Sequence, residues 1–184
     1  SRELARKYHL SRDEFADNGN FPFQLYVREA RRLVGEFTLS ERNMTEQPGI
    51  VSDCRHEDAI AVGEFPIDSF PVRKRQPGDD AVLEGYLSML AKITQPYQIP
   101  YRIMIPKKLD GLIVPVAAST THVAFSSIRM EPTWMALGQA AGVAAHTAIE
   151  HGVELRKAPI GEVQEILRRQ GAVLDFTPEM LESK

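Results

Sequence analysis

Short apolar runs separated by turn residues fill the first part of the chain, and helical spacing takes over towards its end. Across Gln24 to Leu39, the residues Leu25, Val27, Leu33, Phe37 and Leu39 partly alternate with polar positions, as a half-buried strand does. Ala59 to Ile67 (AIAVGEFPI) predicts another strand, with Gly63 as its bulge. Tyr97 to Ile105 (YQIPYRIMI) predicts a third, bent or lying at an edge because of Pro100. Leu112, Ile113 and Val114 form a brief apolar strand of the kind buried on both faces, stopped by Pro115, which cannot donate to a ladder.

Helix signals are weaker early and firmer late. Ser1 to His9 carries only leucine and tyrosine at helical spacing, while Ser11-Arg12-Asp13-Glu14 fits a capping box that Asp17 to Asn20 soon stops. Ser40 to Asn43 caps a short helix that ends by Pro48-Gly49. Thr120, Thr121, Ser126 and Ser127 read as a polar crossing loop. After Arg129, Pro132 suits a first helical turn, Glu131 or Thr133 can serve the free amides there, and Gly152 is placed to close the helix. Gly138 and Gly142 share a face with Ala141 and Ala145, which predicts a smooth groove packed tightly on a sheet. A last helix, Pro159 to Gln170, puts Ile160, Val163 and Leu167 on one side and ends at Gly171.

Composition narrows the function classes. With 184 residues, 43% hydrophobic and 26% charged, the chain can bury a sizeable core. A net charge of -3 gives no electrostatic case for nucleic acid, and Arg73 to Arg75 reads as a solvated loop. No run reaches the length of a membrane-spanning helix. The single Cys54 excludes an internal disulfide and any multi-cysteine metal site, and it leaves the compartment open. The chain starts with Ser1 and has neither an initiator methionine nor a signal-peptide core, so the expectation is a fragment or a processed product.

No GxGxxG, Walker, GxSxG or HExxH motif occurs, and the five histidines are scattered with no metal-ligand spacing, so no metal site is expected. Two features can still do chemistry. Arg28, Glu29, Arg31 and Arg32 form a dense charge cluster, readable either as a salt-bridged sheet face or as a carboxylate clamp. The other is the helix start around Pro132 to Met135, whose free amides and positive dipole end favour partial negative charge, with Arg129 just ahead. The neighbouring hydroxyls either donate to a ligand or simply cap turns.

Tyr97 to Arg102, Ile105 to Lys108, and Ser126-Ser127-Ile128-Arg129-Met130-Glu131-Pro132 running into Ala136 to Gly142 resemble the C-terminal part of a bacterial family of FAD-dependent oxidoreductases, some members of which carry the label xanthan lyase. Leu25 to Arg32 followed by Gly35, and Asp68-Ser69, resemble earlier motifs of the same family, so the likeness covers nearly the whole chain. Two positions depart from it. Pro115-Val116-Ala117 stands where many relatives have Ala-Gly-Arg, and Asp68-Ser69-Phe70 where they often have Asp-Ser-His.

The resemblance implies a two-part flavin fold like that of glutathione reductase, with the dinucleotide motif upstream of Ser1. The fold class expected is α+β: a mixed or antiparallel sheet from a substrate domain (residues 1–105), then the C-terminal strand and two helices of an incomplete FAD-binding domain (residues 106–184). By position, Arg129, Pro132 and Thr133 would lie near the isoalloxazine, and Ser119, Thr120 and Thr121 near the ribitol or pyrophosphate. Arg28, Arg31 and Asp68 are the substrate-side candidates. The expected partners are the upstream FAD-binding half of the same polypeptide and a small-molecule or carbohydrate substrate. The fragment alone would be inactive and would lack FAD. Two other functions stand beside this one: a polysaccharide lyase in which Arg28, Arg31 and Tyr26 converge, and a non-enzymatic assembly module using the Ala/Gly helix as its docking face.

Overall fold

The computed structural model describes residues 9–24, 29–45, 53–71, 76–78 and 93–177. The chain packs as two compact units, Ser1–Ala30 and Arg31–Lys184. In the first, a 3₁₀ turn covers Ala16–Asn18, and the Phe15 and Phe23 rings meet edge-on at 5.6 Å. The capping box expected at Ser11 does not form. Ser11 Oγ donates instead to Asp13 Oδ1 at 2.6 Å, which holds that carboxyl below its usual range.

The second unit is α+β. Strand β1 (Ala59–Gly63) pairs antiparallel with β2 (Tyr97–Pro100), and helices α1 (His122–Ile128), α2 (Glu131–Glu150) and α3 (Ile160–Arg169) follow. α2 and α3 pack on each other and both pack on β1. The core so enclosed includes Ile60, Ile67, Ile99, Ile103, Leu137, Val163 and Leu167. Burying a side chain of this kind contributes about 1.5–3 kcal/mol each.

Several expected strands take other forms. β1 stops at Gly63, and its bulge falls between Ala59 and Ala61 rather than at Gly63. Gly63 matters for a different reason. A Cβ there would sit 2.6 Å from the Tyr97 ring, so the missing side chain lets a fully buried tyrosine lie across the strand end. β2 ends at Pro100, and the chain turns into a 3₁₀ segment over Tyr101–Met104. In the described part of the Gln24 to Leu39 segment only isolated bridges occur, Gly35 with Pro106 and Leu39 with Thr120; Leu25 to Arg28 lie outside the described residues. Leu112 to Val114 form no strand, because no described strand runs alongside, and Leu112 is 42% exposed.

Helices α2 and α3 follow their sequence signals, and the helix expected after Ser40 is a single 3₁₀ turn, with Pro48-Gly49 outside the described residues. Ser40 donates from both N and Oγ to Asn43 Oδ1, closing the turn at Glu41–Asn43. α2 begins with Pro132 in its first turn, and Gly152 just beyond it has φ 62°, a value glycine adopts without strain. The face of α2 that packs is Leu137, Ala140, Ala141, Val143, Ala144, Thr147 and Ala148. Gly138 and Gly142 are not on it. They are exposed and a Cβ on either meets nothing within 4 Å, so the glycine face expected against a sheet is open. Met135 and Ile149, 73% and 76% exposed, extend that open face along the helix.

Polar ties hold the margins. Arg156 binds Glu36 and Asp110 and donates to Pro106 O at 3.1 Å, fastening the 106–110 loop to the connection between α2 and α3. The tail, residues 172–177, is held by Gln98 Nε2 donating to Leu174 O at 2.9 Å, and by Arg55, which pairs with Asp175 and lies 4.4 Å over the Phe176 ring. Gln98 also accepts the His56 amide at 2.6 Å. The His56 ring meets Phe37 edge-on at 5.3 Å, and its buried Nε2 has no partner among the described residues. Burial lowers this imidazole below its ordinary 6.5; Asp53 and Asp58 oppose the shift and Arg102 adds to it.

Two measurements check this packing. In thermal or urea unfolding, Gly63→Ala should destabilise the chain by about 1–3 kcal/mol through its clash with Tyr97, whereas Gly138→Ala should stabilise it by up to about 1 kcal/mol because its methyl enters open space on a helix. The second concerns His56. Its folded-state pKa lies below the unfolded value, so the unfolded chain takes up the proton first as pH falls. This contribution is complete above 6.5 and declines as pH drops through the lowered value. Urea midpoints should therefore fall between about pH 7.5 and about pH 5, and His56→Gln should flatten that fall.

Candidate functional site

Much of the stretch of hydroxyls read as a crossing loop is a helix, with Ser126 and Ser127 inside it and Thr120 and Thr121 ahead of it. Thr121 caps α1, its Oγ1 accepting from Ala124 N at 3.1 Å while lying 3.1 Å from Glu41 Oε2, to which it donates. Ala124, Phe125 and Ile128 then bury at helical spacing. The signal was present as a Thr three residues ahead of an apolar pair, but β-branched residues and serines inside the turn pull propensity away from helix.

α1 grips the segment that leaves β1. Ser127 Oγ donates to Phe65 O at 2.5 Å and lies 2.7 Å from Tyr97 Oη; since its single proton goes to the carbonyl, the tyrosine is the donor in that second bond. Burial pushes the Tyr97 phenol well above its usual value, which keeps it a donor. Ser126 Oγ accepts from Asp68 N at 3.0 Å, and Ser69 Oγ meets His122 Nε2 at 3.0 Å. Arg129 Nη2 donates to Asp68 O at 3.2 Å and lies 3.8 Å from Asp68 Oδ2. Two residues singled out separately in the sequence, Asp68 and Arg129, are thus in contact.

α2 follows α1 almost at once. Its N-cap is Met130, which offers no capping side chain, and Pro132 has no N–H, so the Glu131 and Thr133 amides at the positive end of the helix receive no cap from it. This end opens on a groove of about 510 Å³ lined by Val62 to Pro66 on one wall and by Met130 to Thr133 with Ala136 on the other. The walls are mainly apolar, and Glu64 and Glu131 are their charged residues.

The remaining candidates divide by where their polar atoms go. Pro132 and Thr133 line the groove. Ser119 is buried with Oγ 3.1 Å from Thr38 Oγ1. Thr120 gives its carbonyl to Arg32 Nε at 3.2 Å, while its buried Oγ1 has no partner among the described residues. Arg31 is exposed, and Arg28 and Tyr26 lie outside the described residues. Among the described residues no three His, Cys, Asp or Glu side chains are grouped to hold a metal, and no helix is long and apolar enough to cross a membrane. Removing the α1 cap tests how far this arrangement depends on one hydroxyl: Thr121→Ala should cost about 1 kcal/mol in urea unfolding, with a range of about 0.5–2.

A family model described as FAD dependent oxidoreductase matches residues 2–167. No curated protein and no solved structure matches the chain.

Proposed function

Because the chain belongs to the FAD-dependent oxidoreductase family, we propose that it supplies the flavin-facing helix and part of the substrate domain of such an enzyme, acting on a small-molecule substrate. We assign residues 1–105 to the substrate domain and 106–184 to the C-terminal segment of the FAD-binding domain. The observation that carries the reading is the start of α2, where Glu131 and Thr133, whose amides receive no side-chain cap, line an open groove. Bound there, FAD would accept a hydride from a substrate carbon.

The residues present fit that group at one place. The Glu131 and Thr133 amides sit where a helix dipole favours partial negative charge, and Pro132 and Thr133 shape the wall beside them. Thr120 Oγ1 is a buried hydroxyl with no partner among the described residues, but Thr120 does not line the groove. Ser119, Thr121 and Arg129 are already engaged by Thr38, Glu41 and Asp68, and none of the three lines the groove. Apolar walls from Val62, Phe65 and Met130 would exclude water from a flat ring system. Glu64 and Glu131 oppose accumulation of negative charge and so limit how far the helix end favours it.

The other half of the site is assigned to an upstream segment of the same polypeptide. Two exposed apolar features support this: Leu112, in a stretch apolar enough for an interior strand, and the open face of α2 at Met135, Gly138, Gly142 and Ile149. α2 carries no charged side chain between Glu131 and Glu150, a composition normally covered on every side. A flavin titration tests the reading. Added alone to this chain, FAD should keep its fluorescence at stoichiometric concentrations, and quenching should need the upstream half as well. A tight one-to-one complex with the chain alone would overturn the two-part assignment.

A further inference from the structure

We propose that Asp68 and Arg129 act as one unit that sets the width of the groove at the start of α2, with Arg129 a positioning residue. The functional meaning of this rests on the flavin reading; the geometry does not. One wall of the groove is the segment leaving β1, which ends at Pro66, and the other begins at Met130. Asp68 lies two residues beyond the first wall and Arg129 one residue before the second. Their contact therefore closes the end of the groove, much as a pin joins two jaws.

Arg129 is 5% exposed, and its guanidinium is held by Asp68 through the carbonyl at 3.2 Å and the carboxylate at 3.8 Å. Its buried Nε meets no acceptor among the described residues. A cation taken out of water in this way depends on its counter-charge, and loses much of its compensation if that partner moves. Asp68 is itself fixed from α1, by Ser126 on its amide and by His122 on the neighbouring Ser69. A ligand that draws on the Asp68 carboxylate must therefore disturb Arg129, and through it Met130 and Glu131. The side of the site assigned to substrate is in this way tied to the helix end assigned to flavin.

The chain carries its own reporter. Its single tryptophan, Trp134, stands in the opening turn of α2 and packs partly against the core. Asp68→Asn and Arg129→Met should each shift Trp134 emission to longer wavelength and raise its quenching by acrylamide. The double variant should match the larger single change instead of summing the two, as residues acting through one contact do. Unchanged emission in folded single variants, or additive shifts, would overturn the proposal. Should Arg129→Met fail to fold by circular dichroism, Arg129→Lys serves in its place. It should keep near-native emission with Asp68 present and lose it in the Asp68→Asn background; equal emission in both backgrounds would reject the coupling. No flavin enters the measurement, so its failure would leave the flavin reading standing, and a failure to bind FAD would leave this pair standing.

Discussion

The second unit depends on a phenol that has been taken completely out of water. Tyr97 is fully buried, and an unsatisfied hydroxyl there would cost about 1–3 kcal/mol. The cost is avoided by a relay in which Tyr97 donates to Ser127 and Ser127 to the Phe65 carbonyl. Three elements meet in those two bonds: β2, α1 and the segment leaving β1. Gly63 makes room for the ring that delivers the hydroxyl. Once α1 is docked in this way, Ser126, His122 and Arg129 fall opposite Asp68 and Ser69, and α2 must start beside Phe65. The groove follows from satisfying one buried polar group.

Helices were more legible in the sequence than strands, for a physical reason. α2 and α3 are delimited by residues acting locally, Pro132, Gly152 and Gly171, whose backbone preferences need no tertiary partner. A strand needs a neighbour. Leu112 to Val114 have the composition of an interior strand, yet no described strand lies alongside, and the Val114 amide's bond to the Met104 carbonyl at 2.9 Å does not extend into a ladder. Gly63 shows the same limit from another side: the pattern marked a backbone irregularity there, whereas the need was for space against a ring distant in sequence.

The site was legible in part. Arg129, Pro132 and Thr133 were picked out by the helix-start pattern, and Asp68 by a resemblance alone; nothing in their spacing could place Asp68 on Arg129, 61 residues away. α1 escaped notice because its hydroxyls suit a loop until they are paired with carbonyls and amides that only the folded chain brings near. Three of them, on Thr121, Ser126 and Ser127, satisfy groups inside the protein, so the abundance of small donors measured the polarity of the joint more than the polarity of a ligand.

The Gln98 side chain joins His56 to Leu174, and in the segment it holds Leu174 and Phe176 are buried, the Phe176 ring beneath Arg55. Tethering changes what such a contact is worth. Because residues 172–177 follow directly from α3, they meet their seat at an effective concentration on the order of millimolar, with no translational entropy left to lose. The same six residues supplied as a free peptide would have to reach roughly that concentration to displace them. The tail thus behaves as a permanently bound ligand of β2, secured by its attachment more than by the strength of any one bond.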